Sequence, residues 1–169
     1  MNLYLRPIEL EDAAALAAVI VAVIQEFACP DSEYLQDTPE LSNLFEDYQG
    51  PGKRYWVVVE QGSGKLMGGG GYAPLEGSSP SARICELQKL YLLPEIRGKG
   101  IGQQLVDKIL ESAQQEGFQE IYLECIPELK QAIGLYEKYG FHYLNQRKGD
   151  TGHPSCSVYM SRSLMQGIS

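Results

Sequence analysis

The sequence predicts a single mixed α/β domain. Strand-like and helix-like patterns alternate along the chain, and a glycine-rich turn at 97–102 joins a long strand to an amphipathic helix. The 169 residues suit one hydrophobic core better than two. Apolar and charged fractions of 44% and 21% are those of ordinary globular proteins, so a core of this size needs no covalent or metal staple. We expect the domain to span 1–165, with the last few residues frayed.

Each element has its own signal. Residues 2–6 read as a strand with Leu3 and Leu5 on one side, ended by Pro7. From about Leu10 a helix follows: Leu16, Val19, Ile20, Val23, Ile24 and Phe27 recur at helical spacing, and Glu9, Glu11 and Asp12 suit its positive end. Cys29-Pro30-Asp31 stops it. A second helix is expected over 39–48, where Leu41, Leu44, Phe45 and Tyr48 repeat every three or four residues, before the break at Gly50-Pro51-Gly52. Tyr55 through Val59 are β-branched or aromatic, hence a strand. A turn at 61–65 leads to a returning strand, 66–74, that contains four consecutive glycines, Gly68 to Gly71. Such a run weakens a strand and implies close approach of another backbone or a ligand.

A long strand is expected over 83–93. Strict alternation puts Ile84, Glu86, Gln88, Leu90 and Leu92 on one face and Cys85, Leu87, Lys89 and Tyr91 on the other. A helix over 100–116 presents Ile101, Leu105, Val106, Ile109, Leu110 and Ala113 as its apolar stripe, with Gly117 at the usual C-terminal glycine position. A strand at 120–125 and a helix at 128–139, closed by Gly140, come next. Segments 141–146 and 155–163 are read as a final strand pair joined by a polar loop.

The bulk charge narrows the function. A formal charge of −8 argues against nucleic acid, whose phosphates need a basic surface. It favours cationic partners such as amines or basic peptides, although an acidic surface also serves solubility. The four cysteines, Cys29, Cys85, Cys125 and Cys156, form no metal or redox spacing, so no metal is expected. Scattered thiols suit a reducing, cytoplasmic setting. The longest apolar run, 13–24, is too short to cross a bilayer, and no membrane association is expected. His142 and His153 stand in no recognisable triad order and read as non-catalytic.

The most specific local signal is Leu90-Tyr91-Leu92-Leu93-Pro94-Glu95-Ile96-Arg97-Gly98-Lys99-Gly100-Ile101-Gly102. It leaves a strand, makes a tight loop and opens a helix. Glycines let a ligand approach the main chain, and the first helical N–H groups have no internal partners. Together with the helix dipole they form an anion site suited to a pyrophosphate, to which Arg97 and Lys99 add positive charge. A P-loop would need Ser or Thr after Gly98-Lys99, where Gly100 stands. A dinucleotide fingerprint would need glycine at position 103, which is Gln103.

This stretch resembles the cofactor-binding motif of the GNAT superfamily of N-acetyltransferases, whose loop reads Arg or Gln, two residues, Gly, one residue, Gly or Ala. Arg97, Gly100 and Gly102 match it, and Leu92 and Pro94 fit the residues before it. Arg6-Pro7 with the acidic helix start resembles the family's first strand and helix. Leu135-Tyr136-Glu137-Lys138-Tyr139-Gly140-Phe141 is similar to its segment near the C-terminal end. One position departs from the pattern. Seven residues before Tyr136, where some relatives carry a cofactor-contacting asparagine, stands Leu129.

The resemblance implies a GNAT-like fold, with a mixed, mostly antiparallel central sheet flanked by helices. It implies acetyl-CoA in a V-shaped opening between the fourth and fifth strands. Leu90, Tyr91 and Leu92 would bind the pantetheine arm through main-chain groups, aided by a bulge. The amides of Gly98, Lys99, Gly100, Ile101, Gly102 and Gln103 would hold the pyrophosphate. The implied reaction is direct attack of an amine on the thioester. Tyr136 matches the family tyrosine beside the cofactor sulfur and is the candidate acid; a phenol has a proton to give at neutral pH. Glu86 is the candidate base, since an acid inside an apolar strand is costly without a role or a partner. A cation such as Arg83, or a tyrosine, could supply that partner instead. The acceptor would be a primary amine of a small molecule or peptide, bound by about 27–48 and 147–157. A homodimer is common among such proteins. A non-catalytic acyl-CoA sensor and transfer of a longer acyl group remain the alternatives.

Overall fold

The computed structural model describes residues 1–27 and 39–165, so Cys29 and part of the expected acceptor region lie outside the described residues. Strands β1 (Leu3–Pro7), β2 (Arg54–Glu60), β3 (Leu66–Pro74), β4 (Ile84–Leu92), β5 (Glu120–Cys125), β6 (His142–Tyr143) and β7 (Val158–Ser163) form one sheet in the order β1-β2-β3-β4-β5-β7-β6. Every pairing is antiparallel except β4 with β5. Helices α1 (Ala13–Glu26) and α2 (Pro39–Ser42) cover one face. Helices α3 (Ile101–Gln115) and α4 (Lys130–Lys138) cover the other. No helix among the described residues is long and apolar enough to cross a membrane.

Two apolar layers hold this arrangement. On the first face Leu16, Val19, Ile20, Val23 and Ile24 of α1 pack on Tyr55, Val57, Val59 and Leu66. On the second, Leu105, Val106, Ile109 and Leu110 of α3 pack on Trp56, Val58, Cys85, Leu87, Ile121 and Leu123. The expected stripe of α3 is therefore the buried one. Both helices on this face end as the sequence implies. After α4 the Gly140 amide donates to Glu137 O and the Phe141 amide to Tyr136 O. Gly140 adopts φ 84°, the left-handed conformation that this closing turn requires. At the end of α3 the Gly117 amide donates to Gln114 O and the Phe118 amide to Ala113 O.

Three expectations change. The single helix over 39–48 is α2 followed by a separate 3-10 turn at Glu46–Tyr48; Leu41, Leu44 and Tyr48 still reach the core. The strand over 141–146 shortens to His142–Tyr143, because the chain then leaves the sheet. Beyond that point Lys148 donates its amide to the Tyr122 hydroxyl at 3.1 Å and pairs its ammonium with Glu120 at 2.6 Å. The same expected strand pair is shorter at its other member, which starts at Val158 rather than 155, since Arg147 Nη2 holds the carbonyls of His153 and Cys156 in a loop instead.

The third change lies in β4. Pairing with β3 jumps from Gly69↔Tyr91 to Gly71↔Gln88, so Lys89 and Leu90 together oppose Gly70. This is a β-bulge, and Lys89 adopts φ 51° to make it. The extra residue breaks the alternation. Leu90 and Leu92 pack with the α3 layer beside Leu87, whereas Tyr91 joins the α1 layer. Glu86 is bonded to Gln88, which is bonded to Tyr48 of the α1 layer. Glu86 and Leu90 therefore lie on opposite faces, not the same one. The glycine run makes room for this packing. A Cβ at Gly69 would meet the Tyr55 ring at 2.6 Å, and one at Gly70 would meet Leu90 at 3.1 Å.

Arg6 and Asp12 clip β1 to the start of α1 by paired bonds of 2.7 and 2.9 Å, and Asp12 also accepts the Glu9 amide at 2.8 Å. Burial opposes ionisation of Asp12, but the bonds from Arg6 and from the Glu9 amide outweigh it, so its carboxyl lies below the usual range. A depressed carboxyl stabilises the fold above its unfolded value of about 4, and that contribution vanishes as pH falls through the folded value. Asp12→Asn should cost about 1 kcal/mol at pH 7 in urea unfolding. The gap between variant and parent should close as pH falls through the depressed folded value of Asp12.

Candidate active site

Parallel pairing of β4 with β5 covers only Ile84↔Glu120, Cys85↔Ile121 and Glu86↔Tyr122. Beyond Glu86 the two strands no longer pair, and past the bulge a cavity of about 620 Å³ lies beside β4, bounded by the loop at 97–100, the ends of α1 and α3, and α4. Its walls include Leu90, Tyr91 and Leu92 of β4, the loop residues Arg97, Gly98 and Gly100, and Gly102 and Gln103 of α3. Val23 and Phe27 close the α1 side, and Leu129, Gln131 and Leu135 close the α4 side. The cavity thus gathers most of the residues expected to bind a cofactor. The α4 wall was not foreseen in this detail. Its signal was the glycine at Gly134, where a Cβ would meet nothing within 4 Å.

The loop is built to receive an anion. The Arg97 amide donates to Pro94 O and the Gln104 amide to Gly100 O, while among the described residues the six amides between them have no acceptor. Gly98, Lys99, Gly100 and Gln103 are exposed, Gly102 is half-buried and Ile101 is buried, so these amides stand open to water or to an anion from outside the chain. Gly98 and Gly100 adopt φ 73° and 83°, which turns successive amides toward the helix start, and open space surrounds both. Gly102 lies where a Cβ would press on Leu135 at 3.2 Å. A diphosphate fits this donor set, and an extended apolar arm fits the cavity beside β4.

Arg97 has a different task from the one expected. Its guanidinium grips Glu26 at the end of α1 through bonds of 2.7 and 2.8 Å, lies over the Phe27 ring, and donates to Leu92 O at 3.0 Å. Its charge is therefore matched by Glu26, which leaves main-chain amides and the helix dipole as the groups in the loop open to an anion. Lys99 and Ile101 complete the loop, Lys99 exposed and Ile101 buried in the α3 core.

Glu86 is buried, at the last residue pair before the strands part. Gln88 Nε2 donates to its Oε1 at 2.7 Å, and His153 Nδ1 lies 3.9 Å from its Oε2. Arg83, the cation considered as its partner, is turned away to the carbonyls of Gly117 and Glu116. Tyr136 is buried beside Phe141, with ring centroids 5.6 Å apart, and does not line the main cavity. Burial pushes its phenol well up, with Cys125 and Tyr91 adding to the shift, which locates it by the ends of β5 and β4. It keeps its proton at any physiological pH. Burial likewise pushes the Cys125 thiol up to about 12, so that sulfur is inert.

A family model for GNAT acetyltransferases matches residues 20–141, most of the chain. The chain belongs to the GNAT family. It is an acetyl-CoA-dependent acyltransferase. The chain is 44% identical over 161 residues to the N-acetyltransferase YjgM of Escherichia coli, an alignment that covers 95% of this chain and 94% of that one. It is 29% identical over 89 residues to a thialysine N-ε-acetyltransferase of mouse, covering 53% and 52% of the two chains. Its fold matches that of a Salmonella typhimurium acetyltransferase, yncA, solved with acetyl-CoA. The TM-score is 0.76 at 19% identity, with coverage of 100% and 98%. GNAT membership agrees with the sheet order, the parted strands and the open amides of this structure.

Gly100→Ala adds a Cβ at a left-handed position, at a cost of about 1–2 kcal/mol that distorts the amide cradle. The variant should remain folded and bind acetyl-CoA about tenfold more weakly by calorimetry. Unchanged affinity would remove the loop from the site.

Proposed function

We propose that this chain transfers the acetyl group of acetyl-CoA directly to a primary amine of a small molecule or peptide. The observation that carries the reading is the row of acceptor-free amides at 98–103, beside the cavity that runs along β4. When bound, acetyl-CoA supplies an activated thioester. The chain's own groups supply the proton transfers. Glu86 takes the proton that an alkylammonium must lose before its nitrogen can attack. Tyr136 gives a proton as negative charge builds on the departing sulfur. Main-chain groups of Leu90, Tyr91 and Leu92 hold the pantetheine arm, and the amides of 98–103 hold the diphosphate.

The acceptor side of the sheet supports a cationic substrate. Glu86 and Glu124 both face it with side chains no more than 4% exposed, on a protein of formal charge −8. The thialysine side-chain amine named for the mouse relative is one such group. Thialysine, lysine, spermidine and short peptides with free amino termini form a suitable first panel.

Thiol release from acetyl-CoA over that panel tests the reading. At least one amine should be acetylated, and Glu86→Gln and Tyr136→Phe should each lower kcat about 100-fold while acetyl-CoA affinity stays within about threefold. Binding of acetyl-CoA with no acetylated amine would favour a sensor. A Tyr136→Phe enzyme as fast as its parent would remove Tyr136 as the acid.

A further inference from the structure

A base that works on every turnover must return its proton to water. Glu86 is poorly placed to do so alone, because its side chain is only 4% exposed. The inference below rests on the reading of Glu86 as that base. Its Oε1 is occupied by Gln88, and its Oε2 faces His153 Nδ1 at 3.9 Å. That separation is one bridging water, or a small side-chain rotation, from a hydrogen bond. His153 stands on the loop between β6 and β7 and is 33% exposed, so its imidazole touches both the buried carboxylate and solvent.

We propose that His153 is the proton exit for Glu86, carrying the proton taken from the acceptor amine out to bulk water. The surroundings equip it for this. Glu86 faces it from β4, and Glu124 Oε1 faces it from β5, also at 3.9 Å. Glu124 has no exposed side-chain surface. It is held by the Tyr122 hydroxyl at 2.6 Å, by Thr151 Oγ1 at 2.7 Å and by Arg147 Nε at 3.2 Å. Arg147 also fixes the backbone of His153 by donating to its carbonyl at 2.8 Å, and the Cys156 amide donates to the same oxygen at 3.1 Å. Histidine is the side chain whose ordinary titration lies nearest neutrality.

The proton balance closes without a further reactant. At rest an imidazolium faces the Glu86 carboxylate. The alkylammonium gives one proton to Glu86, which becomes neutral. Its nitrogen then forms the bond to the acetyl carbon as the C–S bond breaks, Tyr136 protonates the departing sulfur, and the second N–H proton shed by the nitrogen restores the Tyr136 phenol. With its counter-charge gone, the imidazolium sheds a proton to water. The neutral imidazole then takes the proton from Glu86, and the resting pair is restored. The two groups titrate as a pair, each setting the other's affinity for the proton.

Two measurements test the exit. The chain has two histidines, His142 and His153, so a proton NMR titration assigned with His142→Gln follows each alone. His153 should titrate above the ordinary histidine range in the parent and lower in Glu86→Gln, while His142 stays fixed and reports an intact fold. A His153 titration unmoved by Glu86→Gln overturns the proposal whatever the acceptor. In the kinetic arm, with the fastest amine of the panel, His153→Ala should lose about tenfold or more in kcat with KM within about threefold. Its acid limb should shift, and added imidazole should restore most of the rate. Unchanged kcat, or a raised KM with normal kcat, overturns it. Glu86→Gln as fast as the parent would instead sink the base itself. A slow Glu86→Gln beside an unimpaired His153→Ala would sink only the exit.

Discussion

Lys89 holds φ 51° in the middle of a strand, a conformation that a side chain adopts only where its neighbours enforce it. Tyr55 is the neighbour that does so, donating its hydroxyl to the Lys89 carbonyl at 2.7 Å from across β3. The glycines at 68–71 leave space for that reach, since any Cβ at Gly69 would meet the Tyr55 ring. Glycine strand, tyrosine and bulge are thus one device. Its product is a β4 that pairs with β5 only as far as Glu86 and then departs, leaving Leu90, Tyr91 and Leu92 as one wall of the cavity. The bulge also puts the carboxylate on one face of the sheet and Leu90 and Leu92 on the other. Acceptor-side chemistry and the arm-binding wall are thereby separated by the thickness of one strand.

Charge is distributed with the same economy. In a chain of formal charge −8, the proposed anion site lies where six amides are open, not where cationic side chains cluster. The cation nearest that loop, Arg97, is matched by Glu26 and serves to dock the end of α1 against it. The negative charge appears instead on the opposite face, as two buried glutamates stabilised by Gln88, Tyr122, Thr151 and Arg147. In the proposed reading, dipoles hold the phosphates and carboxylates receive the amine, so that each half of the site carries the sign its ligand requires.

Much of this was legible in the sequence because the signals were local. Helix periodicity located α1 and α3, and Gly117 and Gly140 marked the ends of α3 and α4 by a turn that demands positive φ. The spacing of Arg97, Gly100 and Gly102 marked the loop whose amides stand open beside the cavity. What stayed hidden was set by contacts distant in sequence. Lys89 gives no sign of a left-handed conformation, since lysine is not a residue that favours one. Strict alternation therefore put Glu86 on the wrong face relative to Leu90. Arg97 meets Glu26 across 71 positions. His153 read as inert because no motif links it to Glu86; only the folding of 144–157 over β5 brings them together. The helix expected over 39–48 had the right apolar residues, but two short turns satisfy the same burial.

The central claim is that open amides at the head of α3 hold a diphosphate. Amide NMR on the uniformly labelled protein tests it most directly, comparing coenzyme A with pantetheine, which lacks the phosphates. Coenzyme A should shift the amides of Gly98, Lys99, Gly100, Ile101, Gly102 and Gln103, whereas pantetheine should move only signals along β4. Coenzyme A binding that leaves those six amides unmoved would contradict the account.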